Sequence, residues 1–99
     1  MARLEIAPEV LDDFDRFLDH AAQRDIGATA TRIAQAIQAI QILETSPLVG
    51  RPVAGGKREL VIGHASNGYV ALYRYVPTID TVIVLAIRAQ RKSGYKRDV

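Results

Sequence analysis

Residues 81–95, TVIVLAIRAQRKSGY, carry the reading of the whole chain. Six apolar residues, Val82 to Ile87, run without interruption. Such a run is far shorter than a membrane span, and rich in β-branched residues, so it reads as a strand buried on both faces. The composition then changes abruptly. Arg88, Arg91 and Lys92 follow within five residues, with no acid among them. A buried strand that ends in cations at a surface holds them on a stiff backbone, as an anion- or partner-binding site requires.

The segments upstream supply the partners of that strand. Residues 3–7 alternate, with Leu4 and Ile6 on one side and Arg3 and Glu5 on the other, which suits a short half-buried strand. Pro8 suits the first position of a helix, and Glu9 lies at the positive end of its dipole. Val10, Phe14, Phe17 and Ala21 then fall on one helical face, widened by Leu11 and Leu18, while Asp12, Asp13, Asp15, Arg16 and Asp19 take the rest. Asp25 is placed to cap a second helix. In it Ile26, Ala30, Ile33, Ile37, Ile40 and Leu43 keep a helical period, and Thr45-Ser46-Pro47 stops it. Residues 47–57 read as a loop. Three strands follow, separated by Asn67-Gly68, a hairpin signal, and by a second reversal at residues 77–80.

The spacing therefore predicts helices near 8–24 and 26–46, and strands near 3–7, 58–62, 69–76 and 81–88. Helices before a run of strands make the class α+β: an N-terminal strand, a helical hairpin, then a three-stranded antiparallel meander, with the helices on one face of the sheet. The first strand is expected to add beside the last, so that the most apolar strand is central. With 99 residues and no repeat or linker, residues 1–99 are read as a single domain.

Composition narrows the chemistry. Hydrophobic residues make up 48% of the chain, enough for a core, and there is no cysteine, hence no disulfide, thiolate or Cys-bound metal. His20 and His64 have no ligand spacing, and Asp12, Asp15 and Asp19 line a solvated helix face, so no metal or other cofactor is implied. Ser46, Ser66 and Ser93 lack a nucleophile turn, and Gly55-Gly56-Lys57 precedes no helix that would complete a phosphate cradle. No catalytic residue is assigned. With no apolar leader and no membrane-length segment, a soluble cytoplasmic protein is expected. Net charge is +2 but divided: residues 1–49 hold four Arg against eight acids, and residues 50–99 hold nine Lys or Arg against three. That asymmetry suits an anionic partner or the mutual attraction of helices and sheet. Arg58, Arg74, Arg88, Arg91 and Lys92, with Tyr95 as an aromatic anchor, are the candidate target-binding residues. Arginines set among tyrosines suit RNA and a protein hot spot equally.

Four groups of residues, in order, carry a resemblance: Pro47…Gly50-Arg51-Pro52, Arg58-Glu59-Leu60, Tyr69…Tyr73-Arg74, and Ile87-Arg88…Gln90-Arg91…Gly94-Tyr95. Together with the order strand, two helices, three strands, the chain resembles the RelE/ParE superfamily of type II toxin–antitoxin toxins over almost its whole length. The resemblance implies one of two actions. The ribonuclease (RelE-like) branch cuts ribosome-bound mRNA without metal, which needs proton-transfer groups and cations around the transition state. Its members carry an Arg just after the Tyr that opens the middle strand, where this chain has Val70. The second of two alternating lysines on the preceding strand is matched by Leu60, leaving only Arg58 at the first. Arg88 or Arg91, and Tyr95, match the terminal arginine and tyrosine. The ParE branch lacks that set, and for it the resemblance implies poisoning of DNA gyrase and a block to replication without catalysis by the toxin. This branch is the closer one. It also implies a cognate antitoxin, ParD-like or similar. The endoribonuclease, with RNA or the ribosome as partner, is the alternative.

Overall fold

The computed structural model describes residues 1–21, 25–63, 68–92 and 94–99. Its elements are β1 (Arg3–Ile6), α1 (Pro8–Ala21), α2 (Ile26–Ile40), β2 (Arg51–Val53), β3 (Lys57–Ile62), β4 (Tyr69–Val76) and β5 (Thr81–Ala89), with short 3-10 turns at Gln41–Glu44 and Pro77–Ile79. The class is the expected α+β. The sheet order is β1-β5-β4-β3-β2, so the most apolar strand is internal, and β1 lies parallel beside it. The sheet is wider than the predicted meander by one strand. Arg51–Val53, expected to be loop, pairs antiparallel with β3 through a turn in which Gly55 and Gly56 both take positive φ. Three residues containing a proline are too few to show alternation, which is why the strand was invisible in the sequence.

The helices begin where capping chemistry places them. Pro8 opens α1, and Asp25 Oδ1 accepts the N–H of Ala28 at 2.9 Å to cap α2. The α-helical part of the second element ends at Ile40, and the remainder tightens into the 3-10 turn before Thr45. The expected end of the first helix near Gln23 or Arg24, and the Asn67 half of the hairpin signal, lie outside the described residues, as do His64, Ser66 and Ser93. No helix among the described residues is long and apolar enough to cross a membrane.

Both helices pack on one face of the sheet. Val10 and Phe14 of α1, Ile33, Ala36 and Ile40 of α2, and Leu43 meet Ile62, Tyr69, Ala71, Tyr73, Val82, Val84 and Ile87. The tyrosine side of β4 is thus the core side. Tyr73 is fully buried, and its hydroxyl accepts the N–H of Gly50 at 2.9 Å. Leu11, Ile26 and Ile37, which share the helical periods, stay exposed. The largest departure is Asp13. Its place in the helical period puts it with the acids of the solvated side of α1, yet it is 1% exposed. It falls between Val10 and Phe14 on the inner face, where a carboxylate is tolerated because its charge is fully partnered.

Those partners arise from a gap in the sheet. β1 pairs with β5 only as far as Val84, leaving the rest of that edge of β5 without a strand. Asp13 Oδ2 accepts the N–H of Ile87 at 2.9 Å, and Arg97 donates to the carbonyl of Leu85. Arg97 and Arg16 both donate to Asp13, at 2.9 and 2.8 Å. One helix carboxylate and one arginine from the C-terminal tail therefore do what another strand would have done.

Candidate functional site

A bulge in β5 decides where the cations point. Leu72 pairs with Ala86 and Tyr73 with Val84, so Leu85 is an extra residue. Val82 and Val84 face the helices before it and Ile87 faces them after it, which sends Arg88 to the opposite face. No helix covers that face, yet Val70, Leu72 and Ala86 on it are buried. The tail after β5 folds back across it.

Glu59 fastens the tail. Its Oε1 accepts from Arg51 Nη2 at 2.8 Å and its Oε2 from the Tyr95 hydroxyl at 2.6 Å. Arg88 Nη2 stands 3.7 Å from the same carboxylate, and its guanidinium carbon lies 5.4 Å from the centre of the Tyr95 ring. Arg88 also donates to the backbone carbonyls of Ala89, Gln90 and Lys92, and Lys57 donates to the carbonyl of Val99. Burial works to raise the Glu59 carboxyl, but the hydrogen bonds from Tyr95 and Arg51 and the charges of Arg88 and Arg51 outweigh it, and the net shift is downward. For Tyr95, burial and then the hydrogen bond to Glu59 push the phenol well above its ordinary range.

The six candidate residues are therefore not one surface. Arg88 and Tyr95 come together around Glu59, and Arg91 and Lys92 lie between them in the chain, exposed. Arg74 is exposed on the same sheet face and donates to the carbonyl of Gly55 at 3.1 Å. Arg58 points to the helix side and braces the loop before β2, donating to the carbonyls of Leu48 at 3.1 Å and Gly50 at 2.8 Å. Arg88, expected to present its head at the surface, has a side chain only 13% exposed and turned into the protein. Two acids and an arginine escaped the sequence reading. Glu59 is the sole acid in residues 50–79, a pattern that signals an internal partner for cations; Asp13 occupies a core-facing helical spacing. Arg97, in a basic tail, gave no signal.

Beside the tail, where α1 ends and α2 begins, lies a cleft of about 460 Å³. Phe17 and Tyr69 stack in its wall with ring centres 4.9 Å apart. Arg32 of α2 and Arg91, Lys92 and Lys96 of the tail also line it.

The sheet, the helical hairpin and the basic C-terminal segment agree with what comparison with known families finds. The family model described as the ParE toxin of type II toxin–antitoxin system, parDE, matches residues 4–94. No curated protein sequence matches the chain. The family match runs from within β1 to beyond the end of β5, so the chain belongs to the ParE toxin family of type II toxin–antitoxin systems, a class that implies an antitoxin partner.

Proposed function

We propose that the chain poisons DNA gyrase by binding and blocks replication until a cognate antitoxin removes it. One observation carries the choice of gyrase over RNA. At the two positions where the resemblance to the ribonuclease branch calls for cations, this chain has Leu60, packed against the core, and Val70, 1% exposed. Loss of one charge-stabilising group commonly costs a ribonuclease several kcal/mol of transition-state stabilisation. A binding poison has no such requirement.

Arg91 and Lys92 are the residues proposed to meet the target, since they are exposed and project from the end of β5. Arg88 and Tyr95 hold their backbone in place. The antitoxin is proposed to be acidic, matching the basic C-terminal half, and to lay an amphipathic helix on apolar surface such as Ile26 and Ile37 of α2. The test is to assay purified toxin on gyrase supercoiling and on ribosome-bound mRNA, with and without the product of a neighbouring open reading frame. Inhibition of supercoiling that the neighbour reverses is the expected result. Cleavage of ribosome-bound mRNA with supercoiling spared would replace this reading by the endoribonuclease.

A further inference from the structure

We infer that the cleft beside the tail is a binding site for a compact phosphorylated small molecule, of the nucleoside di- or triphosphate class. The inference does not depend on the choice of macromolecular target; it shares Arg91 and Lys92 with the proposed target contact, so Arg32 and Lys96, which that contact does not use, carry its test.

Charge is the first reason. Arg32 reaches the cleft from α2, and Arg91, Lys92 and Lys96 reach it from the tail. Among the described residues, no carboxylate pairs with any of these four. The one acid in the lining, Asp25, is committed to the N–H of Ala28. The other two arginines of the lining are also committed, Arg16 to Asp13 and Arg88 to Glu59 and the tail carbonyls. Four cations line one concavity with a single carboxylate, Asp25, among them, so the cleft is net positive and attracts an anion with several charges. Phosphate oxygens suit guanidinium forks and ammonium groups alike.

Shape is the second reason. The volume of about 460 Å³ is within the range of small-ligand pockets and matches a nucleotide. The Phe17–Tyr69 pair, with Ala21, Ala28 and Ala89, makes an apolar wall for a ring system on one side of the cations. All four cations line this one cavity, which favours a compact ligand over a nucleic-acid strand.

The test is titration calorimetry of the full chain with ADP, inorganic pyrophosphate, adenosine and a single-stranded DNA octamer. ADP is expected to bind saturably, more tightly than pyrophosphate, with adenosine weakest, and salt is expected to weaken ADP and pyrophosphate but not adenosine. Arg32→Glu and Lys96→Glu should each weaken ADP by about tenfold or more. Arg3→Glu, on β1 and far from the cleft, should leave it unchanged. Circular dichroism melts of each variant establish that the fold is kept. The site is refuted if ADP does not saturate, or if the folded Arg32→Glu and Lys96→Glu proteins bind as the parent does. Pyrophosphate or adenosine binding as tightly as ADP would remove the nucleoside polyphosphate assignment. An octamer bound tenfold tighter than ADP would do so in favour of a nucleic-acid groove.

Discussion

Replacing Asp13 by Ala removes the side chain that satisfies the Ile87 N–H at the unpaired edge of β5. That donor is buried, so leaving it without an acceptor costs about 1–3 kcal/mol. The two arginines lose their partner as well. Their side chains are 36% exposed for Arg16 and 26% for Arg97, so they regain water, and the lost ion pairs add at most about 1 kcal/mol after screening. The sum is roughly 1–4 kcal/mol, a large share of the ~5–15 kcal/mol of an ordinary domain. At this chain length it should lower Tm by roughly 4–30 °C. Asp13→Asn keeps an oxygen acceptor for Ile87 and should lose only about 1 kcal/mol. Urea unfolding of the single variants, and of Asp13→Ala with Arg97→Ala, would show a coupling of about 0.5–1.5 kcal/mol between helix and tail. Amide exchange at Ile87 locates the effect. A loss below about 1 kcal/mol in Asp13→Ala, with Ile87 exchange unchanged, would refute the reasoning, because the carboxylate would then not be standing in for a strand.

Tyr73→Phe should cost about 1–2 kcal/mol in chemical denaturation, since it strands the Gly50 N–H. Gly50→Ala should cost more, because the new methyl would lie 2.7 Å from the Tyr73 ring and 2.8 Å from the Glu59 carbonyl, neither of which has room to move. The Glu59 carboxyl sits below its ordinary 4.5 in the fold, so its stabilisation is present above that pH and lost as pH falls toward the folded value; Glu59→Gln should flatten the acid limb of a stability–pH curve. The Tyr95 phenol is raised above its ordinary 10.0, so its contribution is complete below that pH and lost as pH climbs beyond it; Tyr95→Phe should remove that alkaline limb. Arg88→Ala should lower stability by about 1–3 kcal/mol in urea, whereas Arg91→Ala with Lys92→Ala should stay within about 0.5 kcal/mol for each change and relieve toxicity in growth assays. Toxicity retained by the Arg91/Lys92 double variant would exclude those residues as the target contact.

Local chemistry alone determined the helical hairpin, the last three strands and the place of β1 beside β5. Pro8, Asp25 and Pro47 mark boundaries through backbone geometry and capping, and the apolar run at Val82–Ile87 requires an internal position. The family resemblance was legible because its residues keep their order and spacing along the chain, some in turns such as Gly50 and others within β3 and β4. What lay beyond the sequence depends on contacts between distant segments. Strict alternation would put Val84 and Arg88 on one face of β5, and only the bulge at Leu85 separates them. The short length of β1 leaves backbone groups on β5 that Asp13 and Arg97, 84 positions apart, must satisfy. Glu59 draws Arg88 and Tyr95 inward only because the tail folds over the uncovered sheet face. Periodicity reports which face a residue occupies on its own element, whereas the partner that tames a buried charge is chosen by the packing of the whole chain.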